Sequence, residues 1–438
     1  MNIKINKIGL YIFLAVIIIT YFFIRLPELQ NSFFEGTTAP VDFAQDYIAG
    51  RQLLAGKSLY PQHYMDIYLN ILSNNGEKLD PRLKYIKGLN AHPPFTAIVL
   101  FPLWFLTFHN AILLWSLISV LCMLFFVLLL IKSENIPLLY YPLVVLFVLA
   151  WPPFQRNISV GQISILVTLF VIAGWYFLKY GKEKMSGIFI ALATMLKFYP
   201  GLLILYFLVN KKYKSLLYSV IGVGSILILT FIVTKYDFFR FIFNILPEDS
   251  KYWGSDIGNL SINGFYAKLF LSVKAYYNIG VFAASENYFL KNLFLYVTVI
   301  VIVLYLALHI KKYTNDLGFS FFIILALLLS PICWSHYLTL LLLPLIVMIK
   351  ELIKKNTLYE MLIFLTALFL ISIDPDSVYF HKVIDITHFF IPGNPVSFFY
   401  RMTFYSAQFY GMVLLLILNF RLIKQSHKST SEPPANQS

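Results

Sequence analysis

The chain has 438 residues, of which 59% are hydrophobic and only 13% charged, and it carries a formal net charge of +13. Its apolar residues fall in runs of roughly 15 to 22, longer than any water-soluble core needs, which excludes a soluble globular protein and indicates a polytopic membrane protein. Two cysteines, Cys122 and Cys333, exclude a disulfide framework and stand in no metal-ligand spacing.

In chain order, the first run covers residues 8–25. It has a basic start but is too long for a secretory signal and lacks a small-residue cleavage site, so it reads as an uncleaved span. After it comes a long connection, 26–109, that contains "PVDFAQDYIAGRQLLAGKSLYPQ". Pro40 suits the first turn of a helix and Gly56 its end, so residues 40–55 are expected to form one helix outside the membrane. Asp42 and Asp46 then share a face, with Asp42 in the first turn, where the helix dipole favours an ionised carboxylate. A solvated surface charge is the plain alternative for either. The segment "AHPPFTAIVLFPLWFL" at 91–106 is apolar but too interrupted by prolines to span simply, and it is expected to lie in the interface or to re-enter.

Further spans are expected at 110–131, 138–152, 161–179, 215–235, 290–310, 317–332, 337–350, 357–373 and 402–423. The segment 186–210 is interrupted by "KFYP" and flanked by lysines on both sides, "KYGKEK" and "NKKYK". Lysines on both flanks place both in the cytoplasm, so the segment is read as two short helices forming a hairpin with Lys197 near its outer turn. About twelve crossings result, within a range of 11 to 13, with both termini cytoplasmic. The lysines and arginines gather on the short links and the carboxylates on the long ones. Much of the net charge is therefore a topology signal, and a nucleic-acid partner is not needed to explain it.

Three connections on the carboxylate-rich side are long: 26–109, 236–289 and 374–401. Long ordered loops on a rigid scaffold commonly carry function, so the outer face is where it is sought. The single domain is expected to end near 425, with 426–438 a disordered cytoplasmic tail. Arg156, Gln162, Lys197 and His336 fall at the outer ends of spans, in "QRNISVGQIS", "TMLKFYPG" and "SPICWSHYL". Ionisable groups at such depth are costly and point to function, with interfacial snorkelling as the alternative for any one of them. The only Asp-x-Asp string, "DPD" at 374–376, reads as an acidic turn after a helix before it reads as a metal site.

The successive blocks "DFAQDYIAGRQLLAGKSLYP", "HPPFTAIVLFPLWFL", "VGQISILVTLFVIAGWYFLKYGKEKMSGIFIALATMLKFYPGLLIL", "GNLSINGF" and "LLSPICWSHYLTLLLLPL" resemble, in order, those of glycosyltransferase family 87. Members of that family are membrane enzymes of the GT-C fold, and they include bacterial alpha-1,2-mannosyltransferases that use polyprenol-phosphate-mannose. The resemblance implies an all-α membrane protein with Asp42 as the catalytic carboxylate. Arg156, Lys197 and His336 would bind the donor phosphate. Asp46, Tyr60, Gln162, Tyr199, Asn259 and Asn263 would contact substrate. Beside His336 the chain reads "WSHY", without the second acidic or histidine residue that many members carry there.

That chemistry agrees with the residue inventory. Inverting transfer to a hydroxyl needs one general base, and a carboxylate is suitable. The leaving lipid phosphate needs positive charge more than a general acid, so neither a metal nor another cofactor is implied. The expected partners are a polyprenol-phosphate-sugar donor, a glycolipid, polysaccharide or glycoprotein acceptor, and the lipid bilayer. The many Ile, Lys, Asn, Phe and Tyr residues fit an AT-rich bacterial genome, hence a bacterial plasma membrane. The alternative from another class is a secondary transporter or a lipid-linked glycan flippase. Its weaknesses are the uneven long outer loops and the lack of a visible repeat.

Overall fold

A computed structural model of the chain describes residues 7–30, 32–33, 41–61, 66, 67, 70, 73, 90–275, 281–284, 288–309, 316–355, 357–375 and 397–431. Pro40 and Asp376 lie outside the described residues, as do large parts of the first and third long connections.

The first helix, α1, is Lys7–Gln30, and α2 is Val41–Leu54, close to the expected 40–55. Gly56 ends α2 at φ +67°, a left-handed turn that glycine adopts without a Cβ penalty. The proline-interrupted segment forms only a short helix, α3 (Pro94–Val99), and a 3-10 turn, Phe101–Phe105. Phe95, Leu103 and Trp104 are buried while Phe101 and Phe105 are exposed, as an interfacial segment requires.

The long helix α4, Phe108–Glu134, is opened by Thr107, whose side chain accepts from the Asn110 N–H, and is closed by Asn135 in the left-handed region. At about 1.5 Å per residue it is roughly 40 Å long, so its ends mark two opposite ends of the protein. At one end Phe108 packs on Phe43 and Tyr47 of α2. At the other, the buried Glu134 accepts from Lys179 and from Lys350, the latter at 2.7 Å.

Next come α5 (Tyr141–Ala150) and α6 (Pro152–Val160), bent against each other by 57° at Pro152. They lead into α7 (Ser164–Lys179) and α8 (Glu183–Leu196). After Lys197 a 3-10 turn, Tyr199–Gly201, precedes α9 (Leu202–Val209) and α10 (Tyr213–Thr234). The Ser215 hydroxyl donates to the Glu183 carbonyl and the Ser219 hydroxyl to that of Gly187, so α8 and α10 run side by side in one direction. The chain between them must therefore return, and Lys212 lies 3.7 Å from Glu183. This out-and-back path is the hairpin expected from the lysine flanks.

Two short helices, α11 (Tyr236–Arg240) and α12 (Leu246–Trp253), are joined by a π-turn. After α13 (Ile262–Phe270) comes a small antiparallel hairpin of β1 (Ser272–Ala275) and β2 (Val281–Ala284), with Ser272 paired to Ala284. The remaining helices are α14 (Tyr288–His309), α15 (Asp316–Leu329), α16 (Leu342–Lys355), α17 (Leu358–Ser372), α18 (Phe398–Met402) and α19 (Ala407–Ser431). A 3-10 turn, Ser335–Leu341, runs into α16. One buried apolar cluster extends from Phe43 to Ile423 and joins these elements.

Among the described residues, four helical stretches are long and apolar enough to cross a membrane: Phe108–Glu134, Tyr213–Thr234, Ser335–Lys355 and Phe398–Ser426. The bent pair α5–α6 makes a fifth if it is one span. Length and composition thus support four or five crossings where the sequence led us to expect about twelve. The other apolar runs form shorter helices, among them Ser164–Lys179, Asp316–Leu329 and Leu358–Ser372. Helix α15 is buried along almost its whole length, so its surroundings are protein. A second boundary also moves. Helix α19 continues past 426, where a disordered tail was expected, to Ser431. Gln425 anchors it by donating to Glu360 and accepting from Lys355.

Candidate functional site

The site lies at the α2 end of α4, where the longer connections gather. Asp42, half-buried in the first turn of α2, accepts from the Gln162 amide at 2.8 Å and from Gln45 at 3.3 Å. Gln162 reaches Asp42 because Gly161 closes α6 at φ +67°. Trp115 donates its indole N–H to the Gly161 carbonyl, and a Cβ on Gly161 would stand 2.5 Å from the Cβ of Phe43. Only glycine allows the turn to sit this close to α2, and the following residue is thereby aimed at its carboxylate.

Asp46, one turn further along α2, has a different environment. It is buried, and its two oxygens lie 2.9 and 3.0 Å from His92 Nδ1, while the Thr96 hydroxyl donates to it at 2.8 Å. Tyr60 donates to the His92 carbonyl at 3.0 Å. These contacts lock α2 onto the 90–96 segment. From the other side Asp237 accepts from the Ser58 hydroxyl and from the Leu59 N–H at 2.7 Å. Asp46 and Tyr60, expected to touch substrate, are engaged as braces.

Lys197 stands at the break between α8 and the 3-10 turn. It is buried, its ammonium has no hydrogen-bond partner among the described residues, and it lies 4.0 Å from the centre of the Tyr337 ring. Asp42, Asp46 and Asp249 are close enough to act on its charge. Tyr199 stacks on the other ring of this set, with its centroid 4.9 Å from that of Tyr337. His336 packs edge-on against Tyr337, and its buried Nε2 has no hydrogen-bond partner among the described residues. The His336 backbone is fixed by Asn157, which donates to its carbonyl at 2.7 Å. Buried donors are normally satisfied within the fold, so Lys197 and His336 mark a place suited to an anion.

Arg156 is half-buried on α6, within electrostatic reach of His336, and lines a cleft with Arg25, Glu28 and Asp374. Asp374 therefore sits among arginines. Among the described residues no group of three His, Cys, Asp or Glu side chains is arranged to hold a metal ion.

Asn259 and Asn263 serve the framework. Asn259 donates to the carbonyls of Gly254 and Pro331 and accepts from the N–H groups of Ser261 and Cys333. That uses the capacity of its amide, and Asn263 donates to the same two carbonyls. Together they pin the 254–263 loop to the stretch that carries His336.

Two further residues, His92 and Asp249, bear on the site. His92 was part of a quoted block, but its pairing with Asp46 joins two segments whose contact no local pattern signals. Asp249, on α12, is a carboxylate whose buried Oδ1 has no hydrogen-bond partner among the described residues. Burial pushes its carboxyl up to about 7, against the pull of His92 and Lys197. Its signal was an acidic residue on a short amphipathic helix opened by Pro247 at its first turn.

The sequence profile of glycosyltransferase family 87 matches residues 90–331, more than half of the chain. The match contains Arg156, Gln162, Lys197, Tyr199, Asn259 and Asn263; α2 precedes it and His336 follows it. No curated protein matches the chain.

Proposed function

Because the chain belongs to glycosyltransferase family 87, and is thus a membrane glycosyltransferase, we propose that it transfers a sugar, mannose in the first instance, from a polyprenol-phosphate donor to a hydroxyl acceptor with inversion. Asp42 is the general base. As the acceptor oxygen forms its bond to the anomeric carbon, the acceptor proton passes to the Asp42 carboxylate and the bond from that carbon to the phosphate oxygen breaks. The leaving group departs as a lipid monophosphate, whose charge Lys197 and His336 stabilise, with Arg156 adding long-range attraction. Preorganised charge of this kind acts where negative charge develops and needs no metal.

The observation that carries this reading is the pairing of a positioned carboxylate with a buried, unpartnered ammonium at one end of the protein. Asp42 is held by Gln162, and it acts on Lys197 across the site. Gln162 fixes one carboxylate oxygen, while among the described residues the other is met by Gln45 at 3.3 Å, a weaker contact that an acceptor hydroxyl would replace. The Tyr337 ring, backed by Tyr199, faces the Lys197 ammonium.

The site end is read as the external face of a bacterial plasma membrane. Lys179 and Lys350 converge on Glu134 at the far end of α4, and a lysine-rich end belongs in the cytoplasm. The donor's lipid tail then stays in the bilayer while its phosphate and sugar meet α2 at the surface.

The test is transfer from polyprenol-phosphate-mannose by protein purified into nanodiscs, with the product identified by mass spectrometry. A companion measurement compares lipid-linked glycans of cells with and without the gene, where a missing glycoform identifies sugar and acceptor together. No sugar-containing product from any polyprenol-phosphate-sugar, and unchanged glycans in the deletion strain, would remove the reading.

A further inference from the structure

We propose that Asp249, Trp253 and Trp334 form a subsite for a sugar ring beside Lys197, with the carboxylate accepting from ring hydroxyls and an indole covering a C–H face. The proposal deepens the transferase reading and rests on it for the identity of the site. It assigns these three residues a shared role in holding the carbohydrate itself.

Asp249 and Trp253 are four residues apart on α12, and residues at that spacing lie on one helix face. Trp253 meets Trp334 edge to face, with ring centroids 5.6 Å apart and planes at 74°. Both indoles are half-buried. Trp334 is the second residue before His336, in the stretch that Asn259 pins by accepting from the Cys333 N–H. Gly258 lies against the same indole, where an added Cβ would come 3.0 Å from a ring carbon. The aromatic pair is thus held by the Gly258 loop and by the stretch that leads into His336.

The carboxylate completes the chemistry. Its Oδ1 is buried without a hydrogen-bond partner, and His92, Lys197 and Tyr337 are the titratable groups on which it acts or which act on it. Among the described residues it makes no ion pair. A carboxylate held near a lysine but not bound to it can accept hydroxyl protons in hydrogen bonds, which an ion-paired one would do poorly. An aromatic ring and an acceptor on one helix face match a pyranose or furanose, which has an apolar C–H face and hydroxyls at its rim. An anion would be repelled by Asp249, and an apolar ligand would leave its oxygen unsatisfied.

The sugar held here belongs either to the donor or to the acceptor, and kinetics separate the two. Binding is read first, by saturation-transfer NMR on the protein in nanodiscs with methyl α-mannopyranoside, glucopyranoside, galactopyranoside and arabinofuranoside as probes. At least one should bind wild type, and Asp249→Asn and Trp253→Ala should each weaken it about tenfold or more. Trp253→Phe, which keeps an aromatic face, should bind better than Trp253→Ala. In transfer assays Asp249→Asn should raise KM for one substrate by a similar factor, for the donor or for the acceptor, whichever carries the bound ring. No probe bound by wild type, or wild-type binding by a well-folded Asp249→Asn, overturns the subsite. Glycoside binding that depends on Asp249, without transfer from any donor, keeps the subsite and overturns the transferase mechanism. Transfer with both KM values unchanged in Asp249→Asn does the reverse.

Discussion

Gln162 donates its side-chain amide to Asp42 across 2.8 Å, joining the turn after α6 to the first turn of α2. One carboxylate oxygen is fixed by that bond. Four residues on, Asp46 is buried against His92 and Thr96. The same helix face carries one carboxylate poised at a site and one committed to the fold.

That contrast separates two variants. Asp42→Asn keeps the size of the side chain but cannot take a proton, so turnover should fall by roughly 10² to 10⁴ with little change in stability. Asp46→Asn removes charge-assisted hydrogen bonds from a buried pair and should cost about 1.5 to 3 kcal/mol of stability, with a smaller fall in turnover per folded molecule. Thermal unfolding and single-turnover transfer, measured on both variants, check the division. An active Asp42→Asn beside an inactive but stable Asp46→Asn would move the base to Asp46.

Gly161 offers a steric test of how the site is assembled. Its φ of +67° and the 2.5 Å approach of an added Cβ to Phe43 leave no room for alanine. Gly161→Ala should cost about 1 to 3 kcal/mol in backbone strain and overpacking and should also displace Gln162. Gln162→Ala, which leaves the turn intact, should lower turnover while hardly changing the melting temperature. Equal losses of stability in the two variants would show that Gln162 holds the fold and not Asp42.

The sequence made the helix at 41–54, its glycine stop and its paired carboxylates legible, because capping and i,i+4 spacing are local rules. It also revealed the out-and-back path around Lys197, since lysine flanks report on sidedness. Number of crossings was less legible. Hydropathy sees apolar runs such as 317–332, yet α15 is surrounded by protein, and buried helices need not reach across a bilayer. Individual site roles were hidden for a related reason. Asn259 and Tyr60 sit in conspicuous blocks but are consumed by backbone partners, whereas His92 and Asp249 acquire their character from segments remote in sequence.

Lys197 should show opposite effects on stability and activity. A buried ammonium without a hydrogen-bond partner is costly to the fold, and sites built for function commonly carry such a cost. Lys197→Met keeps the length of the chain and removes the charge. It should melt at a higher temperature than wild type while transferring sugar at least about 10² times more slowly, because the leaving phosphate loses a preorganised charge. A variant that melts lower would mean that the ring of Tyr337 and the distant carboxylates already compensate the ammonium.

The hairpin predicts a topology result. Because Glu183 and Lys212 lie side by side and α8 and α10 run in one direction, reporters fused after Lys184 and after Lys214 should report the same compartment. That compartment should be the cytoplasm by the positive-inside rule. Reporters on opposite sides would require 183–212 to be a single crossing.

Asp249 gives the protein a pH dependence whose sign can be worked out. Its carboxyl titrates near 7 in the folded chain and near 3.8 as an ordinary carboxyl, chiefly because burial disfavours the charged form. Between those values the folded chain holds a proton that the unfolded chain has released. Stability is therefore fully present below the lower value, falls as pH rises through the window, and levels off above the higher one. Asparagine is neutral throughout. Asp249→Asn should resemble wild type at about pH 4 and melt at a distinctly higher temperature at about pH 8. His92 and Lys197 are the groups that oppose the shift. Removing one of them by Lys197→Met should move the window upward, since a positive charge that favours the ionised carboxyl is lost. Melting curves of wild type, Asp249→Asn and Lys197→Met in detergent, taken across this range, measure all three. A constant difference between wild type and Asp249→Asn from acid to alkaline pH would show that Asp249 does not change its charge in the window.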